Sequence, residues 1–414
     1  MQYGLIGEKL GHSFSAEIHA KLKSHPYALT ELSHEELDAF FAKKDFLAIN
    51  VTIPYKTAVI PYLSHIDEVA KEIGAVNTIV NNEGELWGYN TDFYGLASLI
   101  EHAKISIKGK KVAILGTGGT SKTVFAVVNS LGAKEILLVS RYSGNDAITY
   151  DELTQNHTDI DVLINTTPVG MYPNTEATPV DISAFSNLSG VIDVIYNPLC
   201  TNLILEAKKR GISAEGGLYM LVAQAVRASE LFLNCTYGKE TTEQIYLEML
   251  NKTENIVLSG MPGAGKSTVG KLLAKEMGRT FFDLDEEIVR VSGRSIPEIF
   301  ASDGEAAFRN LETKVLREVL ANQKGVVIAT GGGAILRDEN VDLFHRNGKI
   351  YFIDRPLQDL LPTPDRPLAS SAEAIRQRWK ERYERYCTTA DFRIDADAPI
   401  EEVAHRIRKE FLQL

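Results

Sequence analysis

The sequence predicts an α/β protein assembled from consecutive nucleotide-binding units. Strand-like apolar runs alternate with helix-compatible stretches from the first residues onward. Two segments, "KKVAILGTGGTSKTVFAVVNSLGA" and "NIVLSGMPGAGKSTVGKLLAKEMG", each pass from a short apolar strand through a glycine-rich turn into a helix, which is how such units begin. The two loops differ in chemistry, so each opens its own sheet.

Composition sets the frame. A chain of 414 residues with 44% hydrophobic and 24% charged residues has length for two or three soluble domains. No apolar run approaches the roughly 18 residues of a membrane helix. The N-terminus, "MQYGLIGEKLGHSFS", enters a strand without the basic and long apolar regions of a secretory signal, so the cytoplasm is expected. Cys200, Cys235 and Cys387 form no CxxC pair and suggest neither disulfides nor zinc. A net charge of -11 argues against nucleic acid as a partner and leaves small molecules, with no membrane and no defined oligomeric state.

Residues 1–105 alternate strand-like runs ("YGLIG", "FLAINVTI", "AVNTIVNN") with helical ones ("SAEIHAKLK", "SHEELDAFFAKK") and read as one α/β lobe, with C-terminal helices at about 228–250 packing back on it. Residues 106–227 form the lobe of the first glycine turn. The helix "TTEQIYLEMLNKTEN" ends near Leu250, and residues 251–255 read as a linker spanning under roughly 20 Å if extended. Residues 256–414 form the domain of the second loop. A cleft between the first two lobes is the expected place for a small ligand beside a dinucleotide.

"VAILGTGGTSK" offers Gly116, Gly118 and Gly119, a GxGG turn rather than GxGxxG, where backbone and helix N-terminus can meet a pyrophosphate. The next strand ends at Ser140 and is followed by Arg141, which suits the 2'-phosphate of NADP(H). In the first lobe "NVTIPYK" places Lys56 just after a strand, and "GYNTDFYG" places Asp92 in a loop. A lysine beside a carboxylate can manage the proton of an alcohol–ketone interconversion, although a surface salt bridge fits the spacing equally.

"GMPGAGKST" matches the phosphate loop GxxxxGK[ST] in full. Backbone amides from Gly263 to Lys266 would surround ATP phosphates, within a stretch completed by Ala264, Gly265 and Thr268. Lys266 would reach the outer oxygens and Ser267 would ligate Mg2+. In "FFDLDEEI", Asp283 and Asp285 alternate on a strand end, one for the metal and the other for an acceptor hydroxyl, or else they cap a helix. "GEAAFRNLE" places Arg309 in a mostly polar helix, and "ATGGGAI" supplies Gly331, Gly332 and Gly333. Arg366 lies in the proline-rich "TPDRPLASS", and Arg382 on the charged helix "RWKERYERY".

From Met1 to about Leu250, the ordered motifs "GHSFSAEIH", "NVTIPYK", "GAVNT", "GYNTD", "GTGGTSK", "NTTPVGM", "DVIYNP" and "GGLYMLVAQA" resemble the shikimate dehydrogenase family. The resemblance implies Lys56 as the catalytic lysine, with Ser13, Ser15, Thr52, Asn77, Asp92, Tyr196 and Gln224 holding substrate. It also implies Gly116, Thr117, Gly118, Gly119 and Thr120 at the pyrophosphate, Ser140 to Asn145 at the adenosine phosphate, and Val194 and Gly217 near the nicotinamide. The chain departs from the family's GAGGAxR turn and from its second arginine clamp, having Thr117, Thr120 and Lys122, and then Tyr142 and Asn145.

From about Asn255 onward the order of phosphate loop, DxD, GExxFRxxE, GGG and RPL, then an arginine before a tyrosine, is similar to the shikimate kinase family. That implies Asp283 near Mg2+, Asp285 on substrate hydroxyls, Arg309 and Arg382 on its carboxylate, Gly332 and Gly333 beside its ring, and Arg366 in a lid over ATP. The lid "DLLPTPDRPLA" is short and poor in other basic residues. Together the resemblances imply an N-terminal substrate lobe, a Rossmann-like NADP lobe and a P-loop kinase domain with a lid. The implied enzyme reduces 3-dehydroshikimate with NADPH and phosphorylates the shikimate formed with ATP and Mg2+, toward aromatic amino acids. Quinate oxidation with NAD, or a regulatory role for one silent half, stay open as alternatives.

Overall fold

The computed structural model describes residues 2–10, 14–22, 26–144, 146–360 and 371–413. The chain divides into two compact units, Met1–Glu248 and Met249–Leu414. No helix among the described residues is long and apolar enough to cross a membrane.

The first unit opens with β1 (Tyr3–Gly7), α1 (Ser15–Lys21), β2 (Tyr27–Glu31), α2 (Leu37–Lys43), β3 (Ala48–Val51), β4 (His65–Ile66), α3 (Glu68–Ile73), β5 (Thr78–Asn82), β6 (Glu85–Tyr89) and α4 (Thr91–His102). These strands form a sheet of order β2-β1-β3-β5-β6-β4, with β5 antiparallel to both β3 and β6. β1 and β3 are buried along their whole length, as helix-covered strands must be, and pack on Phe41, Tyr55 and Val59.

The second lobe contains β7 (Lys111–Leu115), α5 (Gly119–Ser130), β8 (Glu135–Ser140), β9 (Ala147–Thr149), α6 (Tyr150–Asn156), β10 (Val162–Asn165), β11 (Gly190–Asp193), α7 (Asn202–Lys209) and β12 (Ser213–Glu215), and the chain continues into α8 (Leu218–Leu233) and α9 (Lys239–Thr253). Its sheet is parallel throughout, in the order β12-β11-β10-β7-β8-β9. That order reverses between β7 and β10, which puts the turn after β7 at the switch point where dinucleotides bind.

α8 runs across the expected lobe boundary at 227/228. It is one uninterrupted helix, with Met220 in the core of the second lobe and Ala228 and Phe232 in that of the first.

The second unit comprises β13 (Asn255–Ser259), α10 (Lys266–Met277), β14 (Phe281–Asp283), α11 (Leu284–Ser292), α12 (Ile296–Val315), β15 (Val327–Ala329), α13 (Asp338–His345), β16 (Gly348–Asp354), α14 (Ala372–Thr389), β17 (Phe392–Asp395) and α15 (Ile400–Leu412). Its parallel sheet has the order β14-β15-β13-β16-β17. α12 is broken at Gly304, where φ is 80°.

The expected linker at 251–255 is absent. α9 runs to Thr253 and β13 begins at Asn255, leaving Glu254 alone between them. The polar run continues the helix because its backbone has partners: the Thr253 carbonyl accepts from Gly325 N at 2.9 Å and the Glu254 carbonyl from Arg279 at 2.7 Å. A second correction concerns Asp283 and Asp285. Asp283 closes β14, but Asp285 lies in the first turn of α11, so the pair does not alternate along a strand.

Candidate active sites

A cavity of about 410 Å³ in the first unit is lined from both lobes. Lys56 and Asp92 meet in it, the lysine Nζ donating to Asp92 Oδ2 at 2.5 Å, and both side chains are partly shielded from water. Asp92 is carried in the first turn of α4, not in the loop expected from "GYNTDFYG", because Asn90 caps the helix by accepting from Phe93 N; the helix end favours the negative charge. Lys56 is fixed through its carbonyl, which accepts from Val76 N at 2.8 Å.

Ser15, Thr52, Asn77, Tyr196 and Gln224 line the same cavity. Asn77 is buried, and its Oδ1 accepts from Thr91 N at 2.8 Å and from the Thr78 hydroxyl at 3.0 Å. That oxygen is therefore committed inside the fold and the amide nitrogen is left to donate. Burial pushes the Tyr196 phenol up, so it meets a ligand as a protonated hydroxyl. Gln224 is placed by the tight α4–α8 contact, where a methyl group on Gly95 would lie 2.7 Å from Met220 O and 2.9 Å from the Gln224 side chain.

Thr120, Val194 and Gly217 bring the second lobe to the cavity. Gly217 can be nothing larger, because a methyl there would stand 2.1 Å from Val194 O. The Val194–Tyr196 segment hangs from buried Asp193, which accepts from Thr201 Oγ1 at 2.7 Å, Ile195 N at 3.1 Å and Asn165 Nδ2 at 3.1 Å. Burial lifts the Asp193 carboxyl to about 6 against these donors. Gly116 has φ of 106° and Gly118 caps α5 without a side-chain bond. Methyl groups at Gly118 and Gly119 would meet nothing within 4 Å, so Thr117 to Thr120 edge an open cradle at a helix N-terminus, which fits a pyrophosphate. Ser140 ends β8, its hydroxyl closing a turn with Tyr142, and Arg141 beside it is exposed.

In the second unit, buried β13 feeds the phosphate loop, and Gly263 and Gly265 adopt φ of 82° and 92°, a conformation that requires glycine. α10 begins at Lys266 with no side-chain cap on its first N–H groups, leaving donors for an anion. Lys266 is buried and its Nζ donates to Gly260 O at 2.8 Å and Met261 O at 3.0 Å. Ser267 Oγ donates to Asp283 Oδ2 at 2.5 Å, while Asp283 Oδ1 accepts from Asp285 N at 3.0 Å. The one carboxylate thus caps α11 and presents an oxygen next to a hydroxyl. Two such ligands, completed by nucleotide phosphates, suit Mg2+ without a cluster of acids, and the described residues contain no such cluster.

The Gly331–Gly333 loop lies against the other candidate residues. A methyl on Gly331 would stand 2.7 Å from Asp285 Oδ1 and 3.0 Å from Glu312 Oε1, and one on Gly333 would stand 2.3 Å from Arg309 Nη2. Gly332 O accepts from Arg382 Nη1 at 3.1 Å and from the Tyr386 hydroxyl. Sequence reasoning placed Arg309 and Arg382 on polar helices, but they are 9% and 5% exposed. It also passed over Glu312, fully buried, whose two oxygens accept from Arg309 Nη1 at 2.8 and 3.0 Å, although Arg309 and Glu312 are spaced to meet on one helix face. Burial works against the Arg309 charge, but Glu312 and Glu305 hold its affinity for the proton above the usual value. Burial, with Arg309 nearby, pulls Arg382 below it. Two buried guanidiniums close together form a site for an anion. Ser13, Asn145 and Arg366 lie outside the described residues.

Known proteins resemble both halves of this chain. The family model described as shikimate dehydrogenase substrate binding domain matches residues 5–79, and that of shikimate kinase matches residues 262–412. A "Shikimate dehydrogenase (NADP(+))" of Clostridium beijerinckii is 41% identical over 261 residues, covering 59% of this chain and 96% of that protein. The chain belongs to the shikimate dehydrogenase family and carries a shikimate kinase domain behind it. It is a bifunctional enzyme. Solved shikimate dehydrogenases share its first unit. The chorismate mutase/shikimate 5-dehydrogenase fusion protein of Clostridium acetobutylicum is 37% identical with a TM-score of 0.57, covering 60% of this chain and 96% of that one. The Thermus thermophilus enzyme, solved in complex with NADP(H) and shikimate, is 26% identical with a TM-score of 0.54, covering 60% and 99%.

Proposed function

We propose that the first unit reduces 3-dehydroshikimate to shikimate and that the second phosphorylates shikimate on its 3-hydroxyl, two consecutive steps toward aromatic amino acids. The observation that carries this reading is that one molecule, a hydroxylated ring with a carboxylate, suits both polar sets. Hydroxyl and amide donors surround Lys56 and Asp92 in the first, and Arg309, Arg382 and Asp285 converge in the second. The partners are small molecules and the work belongs in the cytoplasm.

NADPH supplies the hydride and ATP with Mg2+ the phosphoryl group. Exposed Arg141 at the end of β8 supports NADP over NAD, since a guanidinium there can pair a 2'-phosphate. In the reducing direction Lys56 gives a proton to the oxygen of the keto group, and Asp92 orients the lysine and accepts from the neighbouring hydroxyl. Ser13, Ser15, Thr52, Asn77, Tyr196 and Gln224 fix the ring and its carboxylate, while Val194 and Gly217 form the floor under the nicotinamide.

In the kinase unit Arg309 and Arg382 grip the substrate carboxylate, Gly332 and Gly333 lie along the ring, and Asp285 accepts from the attacking hydroxyl. Lys266, Ser267 and Asp283 serve phosphates and metal, and Arg366 adds charge from the lid. Such catalysis is positioning and charge neutralisation. A mixture of 3-dehydroshikimate, NADPH and Mg-ATP tests the whole. ADP is expected only when NADPH is oxidised or shikimate is added directly; ADP formed from 3-dehydroshikimate with NADPH left out would overturn the order of steps.

A further inference from the structure

Arg355 directly follows β16, and the roles assigned above leave it unused. β16 is the parallel neighbour of β13, with Phe352 opposite Ser259, so the two strands release their chains side by side. One chain enters the phosphate loop and the other reaches Arg355. The approach is close: a methyl on Gly260 would lie 2.8 Å from Ile353 O, and one on Gly265 would lie 3.9 Å from Arg355 Nη1. Gly265 is the residue before Lys266, so this guanidinium stands beside the uncapped start of α10.

Among the described residues nothing compensates its charge. Asp354, next in sequence, is engaged by the Tyr383 hydroxyl at 2.9 Å and Arg393 Nε at 2.7 Å. Arg355 Nε is buried without a hydrogen-bond partner, and among the described residues its guanidinium has no ion pair. A buried unpaired N–H is costly, and a cation beside a helix N-terminus adds to that cost. An anion seated on the loop satisfies both. The sequence agrees: "DRPL" occurs at Asp354–Leu357 and again at Asp365–Leu368, and Arg355 and Arg366 are the only basic residues between Asp354 and Ser371.

We propose that Arg355 binds the phosphate chain of the kinase nucleotide, supplying from the sheet edge a charge that the short, base-poor lid lacks. This rests on the kinase reading of the second unit. Calorimetry on the full chain, with NADP+ saturating the first unit, tests it. Arg355→Ala is expected to weaken Mg-ATP and Mg-ADP binding about 10- to 100-fold, the loss of one or two charge-assisted bonds. Arg355→Lys should recover part of this as a point charge. The kinase KM for shikimate and the dehydrogenase turnover should stay within about twofold, which certifies the fold. ATP and ADP affinities unchanged in both variants would overturn the assignment alone. Failure of the parent chain to bind Mg-ATP would overturn the kinase reading with it.

Discussion

Lys56 and Asp92 show how two ordinary side chains become a site through placement. Each is partly exposed, and their 2.5 Å contact inside a cleft separates them from surface ion pairs worth little. Lys56→Met should lower dehydrogenase kcat by about 10²- to 10⁴-fold, the range for a lost acid–base group, read from NADPH oxidation. Arg309 carries two duties at once. Arg309→Ala should raise the kinase KM for shikimate more than about tenfold and destabilise the second unit by about 3 kcal/mol, because Glu312 is then buried without its partner. Adding Glu312→Leu should restore much of the stability in denaturant melts and none of the affinity; recovery of both would mean that Arg309 holds only the fold. Burial of this pair could not be read in sequence, since "GEAAFRNLE" looks polar in isolation and only tertiary packing closes over it. Lys266, Ser267 and the glycines were legible because a phosphate loop is a contiguous motif with a local mechanism.

At the scale of elements, α1 connects a buried titratable group to the substrate site. His19 is 1% exposed and stacked on Tyr27 at 4.0 Å, whose hydroxyl donates to Asn50, which in turn donates to Thr78 beside Asn77. Burial lowers its pKa to about 4, against 6.5 for a free histidine. The unfolded chain therefore binds a proton between pH 6.5 and 4 that the folded chain refuses. Stability contributed by neutral His19 is complete above about pH 6.5 and is lost as pH falls toward 4, by about 3 kcal/mol. His19→Phe should flatten that part of the pH–stability curve of the first unit; an unchanged slope would refute this account. The glycine loop gives a second expectation: Gly333→Ala, pressing on Arg309, should raise the shikimate KM of the kinase with little change in ATP affinity. Strands and glycine turns were legible from local periodicity. The continuity of α8 across 227/228 was not, because a helix buried on nearly every side carries no polar stripe to mark it as a single element.

For the whole molecule, the two compact units each contain a core and a candidate site of their own. Lys56→Met should accordingly leave kinase turnover on added shikimate unchanged, and Arg309→Ala should spare the dehydrogenase; a loss of both activities from either substitution would show that the sites are coupled. The succession of a dinucleotide turn and a phosphate loop made this plan readable, but the junction misled. Its polar composition suggests a tether, whereas its carbonyls are claimed by Arg279 and Gly325, contacts that join residues far apart in sequence.

That junction also decides where the chain can be cut. A kinase fragment starting at Asn255 discards the Asn251, Thr253 and Glu254 carbonyls, leaving Arg279 and the Gly325 amide without their acceptors. At about 1 kcal/mol per bond it should melt roughly 5 °C or more below one starting at Met249. A protease seeking an exposed, extended stretch between the two enzymes would find helix and strand instead.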